Sequence, residues 1–164
     1  MPVEKQKLQQ ALTLAFDKFI SEFSRFDESR VNVQPAPGRW TPAQVGMHII
    51  LATDGVPDRS TKTADREADA YLPRIRPWWE DLSQKFTAPN ELTPDDKPKT
   101  RKFILDELNR VRQKDLDILL TKDLSVTCMD FELPTVGYLT RYEWLWFIEM
   151  HLKRHIFQLE NMHG

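Results

Sequence analysis

The chain has 164 residues, 40% of them hydrophobic and 29% charged, with a formal net charge of -2. That is an ordinary globular composition, and one domain of this length buries about 70% of its unfolded surface. The charge balance gives no electrostatic basis for binding nucleic acid or an anionic membrane, and no apolar run approaches the ~20 residues of a spanning helix.

The opening stretch, Met1 to Gln10, lacks the apolar core of a secretory signal. The lone Cys128 has no internal disulfide partner. Together these set the expectation of a cytoplasmic protein, folded as one domain over residues 1–164. From about Val3 to Phe26, Leu8, Leu12, Phe16, Phe19, Phe23 and Phe26 recur at helical spacing with polar residues between them, which predicts an amphipathic first helix. Pro35 and Pro37 then block helix and predict an extended loop over 31–38.

Thr41-Pro42-Ala43-Gln44 opens the second helix. Thr41 is the N-cap, Pro42 takes the first helical position and Gln44 completes a capping box. Val45, His48, Ile49 and Ala52 share one face, which places His48 about two turns in on an apolar surface. Gly55 and Pro57 end the helix.

Residues 56–99 are irregular. Ser60 to Asp69 is polar and reads as mobile, and a short helix is expected after Pro77 within Leu72–Phe86. Ala88 to Lys99, with three prolines, reads as a surface connection. A connection of this length is either a cover over a site or decoration; Trp78 and Trp79 favour its packing on the bundle.

Thr100 to Leu120 is the third long helix, with Ile104, Leu108, Val111, Ile118 and Leu119 as its apolar face. Asp106 and Arg110 stand at ion-pair spacing, and Asp115 is expected at a solvated edge. Ser125 to Leu133 alternates Val126, Cys128, Phe131 and Leu133, which predicts a short extended segment closed by Pro134 and Gly137.

The last helix starts at a second capping box, Thr140 with Glu143. Trp144, Ile148, His151, His155, Gln158 and Met162 form one stripe along it. His151 and His155, four apart, project from one face, and that spacing lets two imidazoles reach a single metal ion. His163, beside the terminal Gly164, is expected to fray. Four helices around one core follow: an all-α four-helix bundle with a long connection between helices two and three, which frees those two to run parallel.

The combination Arg39-Trp40-Thr41…His48 with Val136-Gly137-Tyr138-Leu139-Thr140…Glu143-Trp144…His151…Arg154-His155…Gln158 resembles the DinB/YfiT-like superfamily of proposed metalloenzymes. The resemblance spans all four expected helices. It implies a four-helix bundle whose metal ligands are one histidine from the second helix and two from the last, here His48, His151 and His155. It further implies a divalent ion, nickel or zinc, often in a homodimer. Relatives of known activity include transferases and isomerases that use low-molecular-weight thiols. Gln158 is the candidate partner that orients His155, and Trp40 and Trp144 are candidate walls for a small-molecule substrate. Three readings stand at this point: a metal-dependent transferase or hydrolase, a non-catalytic metal-binding bundle in stress response, and a bundle whose histidines only fill the core.

Overall fold

The structure is a computed structural model that describes residues 4–163. Helix α1 (Lys5–Ser24) buries Leu8, Leu12, Ala15, Phe16, Phe19 and Phe23, the stripe expected from the periodicity. The expected start at Val3 lies outside the described residues. Phe26 falls just past the helix yet is fully buried. The connection through 31–38 is a run of turns, held where the Ala43 amide donates to the Val31 carbonyl at 2.8 Å.

Helix α2 (Pro42–Thr53) begins at Thr41 with both halves of the capping box formed. Helix α4 (Arg101–Thr121) begins at Thr100, whose hydroxyl accepts from the Phe103 amide. Helix α5 (Arg141–Asn161) begins at Thr140 with its own capping box. In each case the cap side chain satisfies a backbone donor that the first helical turn cannot.

The long link between α2 and α4 lets them run parallel. Near both starts Gly46 meets Ile104: a Cβ added at Gly46 would sit 2.7 Å from Ile104 Cγ2. Further along both, Asp54 pairs with Arg110 and Lys114. Helix α1 runs antiparallel to α4, since Arg101 at the start of α4 donates to the carbonyls of Ser24 and Phe26 while Arg112 reaches back to Asp17. Helix α5 starts where α4 stops, with the Tyr142 amide on the Leu124 carbonyl at 3.0 Å. It ends beside the end of α1, where His163 stacks on Phe26 at 4.0 Å. His163 is thus packed, not frayed, because Phe26 and Glu22 give its ring a surface and a carboxylate to meet.

Several local expectations are corrected. The short helix of the insertion, α3 (Leu72–Trp79), begins before Pro77 and contains it. Burial of Leu72 and Ile75 draws the preceding turn into the helix, Pro73 fits the first turn, and Pro77 costs one backbone bond near the end. The stretch 60–69 is pinned: Arg66 makes a bidentate pair with the fully buried Glu143 at 2.8 Å for each bond. The Tyr71 amide and the Thr140 amide donate to the same carboxylate. The extended segment shrinks to β2 (Thr127–Cys128), paired antiparallel with β1 (Thr61–Lys62).

Asp106 and Arg110 do not pair. Arg110 turns to Glu107 and to Asp54 just past the end of α2, while Asp106 takes Lys102. Asp115 is fully buried, not at a solvated edge. It lies four residues beyond Val111 on the stripe that faces α2, and it accepts from the Gly55 amide at 3.1 Å. No helix among the described residues is long and apolar enough to cross a membrane.

Candidate metal centre

Two parallel events of local folding build the site. The capping box at Thr41 fixes the register of α2, so that His48 points inward two turns on. The capping box at Thr140 does the same for α5, where His151 and His155 follow one another on the inward stripe. Packing α2 on α5 then brings together residues 103 positions apart. The ring centroids lie 5.0 Å apart for His48 and His151, 4.6 Å for His48 and His155, and 5.0 Å for His151 and His155. One nitrogen from each falls within 4.8 Å of the others. His48 and His151 are buried and His155 is half-buried.

Hydrogen bonds fix which nitrogen is free on two of the three rings, His48 and His155. His48 Nδ1 lies 2.7 Å from the carbonyl oxygen of Leu92. A carbonyl only accepts, so this nitrogen carries the hydrogen and Nε2 holds a lone pair. His155 Nδ1 lies 2.7 Å from Oε1 of Gln158, which by the same logic leaves its Nε2 unprotonated. His151 Nε2 stands 3.0 Å from His48 Nε2. At that distance Nε2 of neutral His151 donates its hydrogen to the His48 lone pair in one tautomer, and in the other presents a second lone pair that a cation between the rings would hold.

Burial also keeps the three rings neutral. It pushes the His48 imidazole down against the opposing pull of the Leu92 bond. Burial lowers His155 to about 4, helped by the nearby His48. His151 falls well below the usual imidazole range through burial, then through its two neighbours. Three neutral imidazoles with one nitrogen each within 4.8 Å of the others, the order of two metal–nitrogen bonds of ~2.1 Å each, are a donor set that fits a divalent transition metal. Three such ligands leave coordination positions for water or substrate.

The walls are aromatic. Trp40 lies 5.2 Å from His48, Trp79 lies 5.1 Å from His151, and Phe147 lies 5.9 Å from His151. Trp144 packs one layer further out, on Phe147 at 5.5 Å and Phe131 at 6.0 Å. Trp78 is exposed. Cys128 is buried away from the cluster and its thiol is pushed up to about 12 by burial, so it is an inert packing group.

Residue-type patterns pointed to none of three contributors. The Leu92 carbonyl is main chain and has no sequence signature. Phe147 looks like any core aromatic. Arg154 donates to the carbonyls of Trp79, Asp81 and Gln84, contacts that depend on how the insertion folds back.

The chain belongs to the DinB superfamily, whose family model matches residues 11–159. Among solved structures it is similar to YfiT from Bacillus subtilis, described as a probable metal-dependent hydrolase with an unusual four-helix bundle topology. That likeness has a TM-score of 0.61 at 18% identity and covers 99% of this chain and 90% of the other. A search of the curated proteins finds no match.

Proposed function

We propose that this protein is a metal-dependent enzyme acting on a small molecule, with one divalent ion, zinc or nickel, held by Nε2 of His48, His151 and His155. The observation that carries the reading is the convergence of three neutral imidazoles, two buried and one half-buried, whose second nitrogens are already engaged, in two of the three, by Leu92 and Gln158. When bound, the ion supplies Lewis-acid chemistry, polarising a carbonyl or lowering the pKa of water or a thiol. The Leu92 carbonyl and the Gln158 amide hold the two rings in the tautomer that leaves Nε2 free. Trp40, Trp79 and Phe147 exclude bulk water from one side of the cluster.

Two reactions suit such a site: hydrolysis of a small ester or amide, and transfer of a low-molecular-weight thiol to an electrophile. The structural neighbour's description supports the first. Its test is turnover of an ester and amide panel by zinc- or nickel-loaded protein, set against a thiol titration of cobalt-substituted protein that reads a thiolate-to-metal charge-transfer band. One observation favours a non-catalytic metal-binding role as the alternative. His48 and His155 engage a carbonyl and an amide rather than a carboxylate, and the buried Glu143 is wholly occupied by Arg66, Tyr71 and Thr140. A metal-loaded protein without turnover in either assay would establish that alternative.

A further inference from the structure

The segment from Trp79 to Lys99 crosses between the two helices that carry the histidines, and its fastenings sit beside the ligands themselves. On the α5 side, Arg154 donates from Nη1 to the carbonyls of Trp79 and Asp81 at 3.1 Å each and from Nη2 to the carbonyl of Gln84. Its guanidinium also lies 5.3 Å from the Trp79 ring centroid and 4.7 Å from that of Phe86. On the α2 side, Leu92 accepts from His48, and Gln44 Nε2 donates to the Asp95 carbonyl at 3.3 Å. Between these points the segment has little else to hold it. One turn of 3₁₀ helix, Asn90–Leu92, is its regular structure, and residues 80–87 and 89–91 are all exposed. A segment with few buried apolar contacts opens at low free-energy cost unless specific bonds hold it.

Resting on the metal reading above, we propose that this segment is a cover whose closure is coupled to the ion, and that Arg154 is the positioning residue that latches it. The coupling runs through His48. A ligand nitrogen withdrawn toward a cation makes the opposite N–H a stronger donor, which tightens the bond to Leu92. In the other direction, closure fixes the tautomer that frees Nε2 and sets Trp79 against His151. Coupling between two equilibria is reciprocal, so loosening the cover weakens metal binding by up to the factor by which the metal favours closure. Arg154 touches neither the ion nor a ligand nitrogen; three carbonyls in a fork suit its planar donors and not the point charge of lysine.

Hydrogen–deuterium exchange of the protein with and without zinc ion tests this, with zinc affinity measured in parallel by chelator competition. The backbone amides of Gln84, Leu92 and Thr93, each bonded within the cover, report its closure. In the wild type, zinc slows their exchange by about tenfold or more. In Arg154→Ala that protection is largely lost and zinc affinity falls about tenfold, Arg154→Lys restores only part of both, and Arg110→Ala on α4 moves neither. Phe86→Ala removes the exposed ring that stacks on Trp79 and lies under Arg154; it loosens the cover without touching a helix cap and shifts both readouts in the same direction, which carries the test if Arg154→Ala does not fold. Zinc bound with unchanged affinity in Arg154→Ala and Phe86→Ala, with no effect on cover exchange, overturns the coupling while the metal reading stands. A wild type that binds no zinc overturns the metal reading, and the coupling falls with it.

Discussion

His48 and Leu92 meet at 2.7 Å, nitrogen to carbonyl oxygen, across 44 positions of sequence. An imidazole on one helix is thereby oriented by the main chain of the irregular connection that follows it. The counterpart on α5 is local, His155 on Gln158 three residues later. Replacing Gln158 by Ala should lower zinc affinity by about ten- to a hundredfold, the range for partners that orient metal-bound histidines. Titration against a competing chelator reads this; an unchanged affinity would show that Gln158 is only a boundary residue.

Asp115 carries a second prediction. Burial raises its carboxyl well above the usual range, opposed by the Gly55 amide; Asp54 adds to the rise, and Lys114 and Arg110 oppose it. One of its oxygens, Oδ2, has no partner among the described residues. A raised folded-state pKa means that the folded protein holds this proton more tightly than the unfolded chain. The contribution to stability is full below the ordinary aspartate value of 3.8 that the unfolded chain keeps, and is lost as pH rises through the folded pKa. Asp115→Asn keeps an acceptor for Gly55 and removes the charge. It should be more stable than the wild type by about 1–3 kcal/mol at pH 7, with the gap closing toward pH 4. Urea titrations at both values check it, and a less stable variant at pH 7 would mean that the charged form is the one the fold favours.

Gly46 marks where α2 and α4 touch. Alanine is the better helix former by about 1 kcal/mol, yet its Cβ would lie 2.7 Å from a branched methyl of Ile104 and 3.6 Å from the Phe23 ring. Overpacking of that kind costs about 1–3 kcal/mol, so Gly46→Ala should destabilise. The double variant with Ile104→Ala should then cost less than the sum of the two single changes. Strict additivity would show that the helices do not press on each other here.

Glu143 joins the insertion to α5. Glu143→Ala leaves Arg66 without its buried partner and removes half of a capping box, a loss of about 3–5 kcal/mol. Arg66→Ala should be nearly as damaging, and adding Glu143→Gln to it should recover part of the loss by removing the stranded charge. A denaturation series over the four proteins decides; no recovery in the double variant would assign the cost to lost packing of Arg66 on Tyr71.

The helices and two of the three imidazoles were legible because their signals are local. Thr41 with Gln44 and Thr140 with Glu143 cap within one turn, and His151 and His155 share a face by spacing alone. His48 could be joined to them only through the family resemblance, since nothing in its own neighbourhood says which helix it will face. The Leu92 carbonyl was invisible because every residue has one. Asp115 was misplaced by the general rule that carboxylates stay solvated, although its position four beyond Val111 put it on the buried stripe. Spacing assigns Arg110 to Asp106, but Asp54 at the end of the parallel helix supplies a bidentate partner that no local pattern contains.

The most direct test is elemental analysis of protein expressed without an affinity tag, alongside His48→Ala, His151→Ala and His155→Ala. The account predicts one divalent ion per chain in the wild type and a large loss of occupancy in each variant. A wild type with no bound ion after incubation with zinc and with nickel, or a His151→Ala protein with full occupancy, would contradict it.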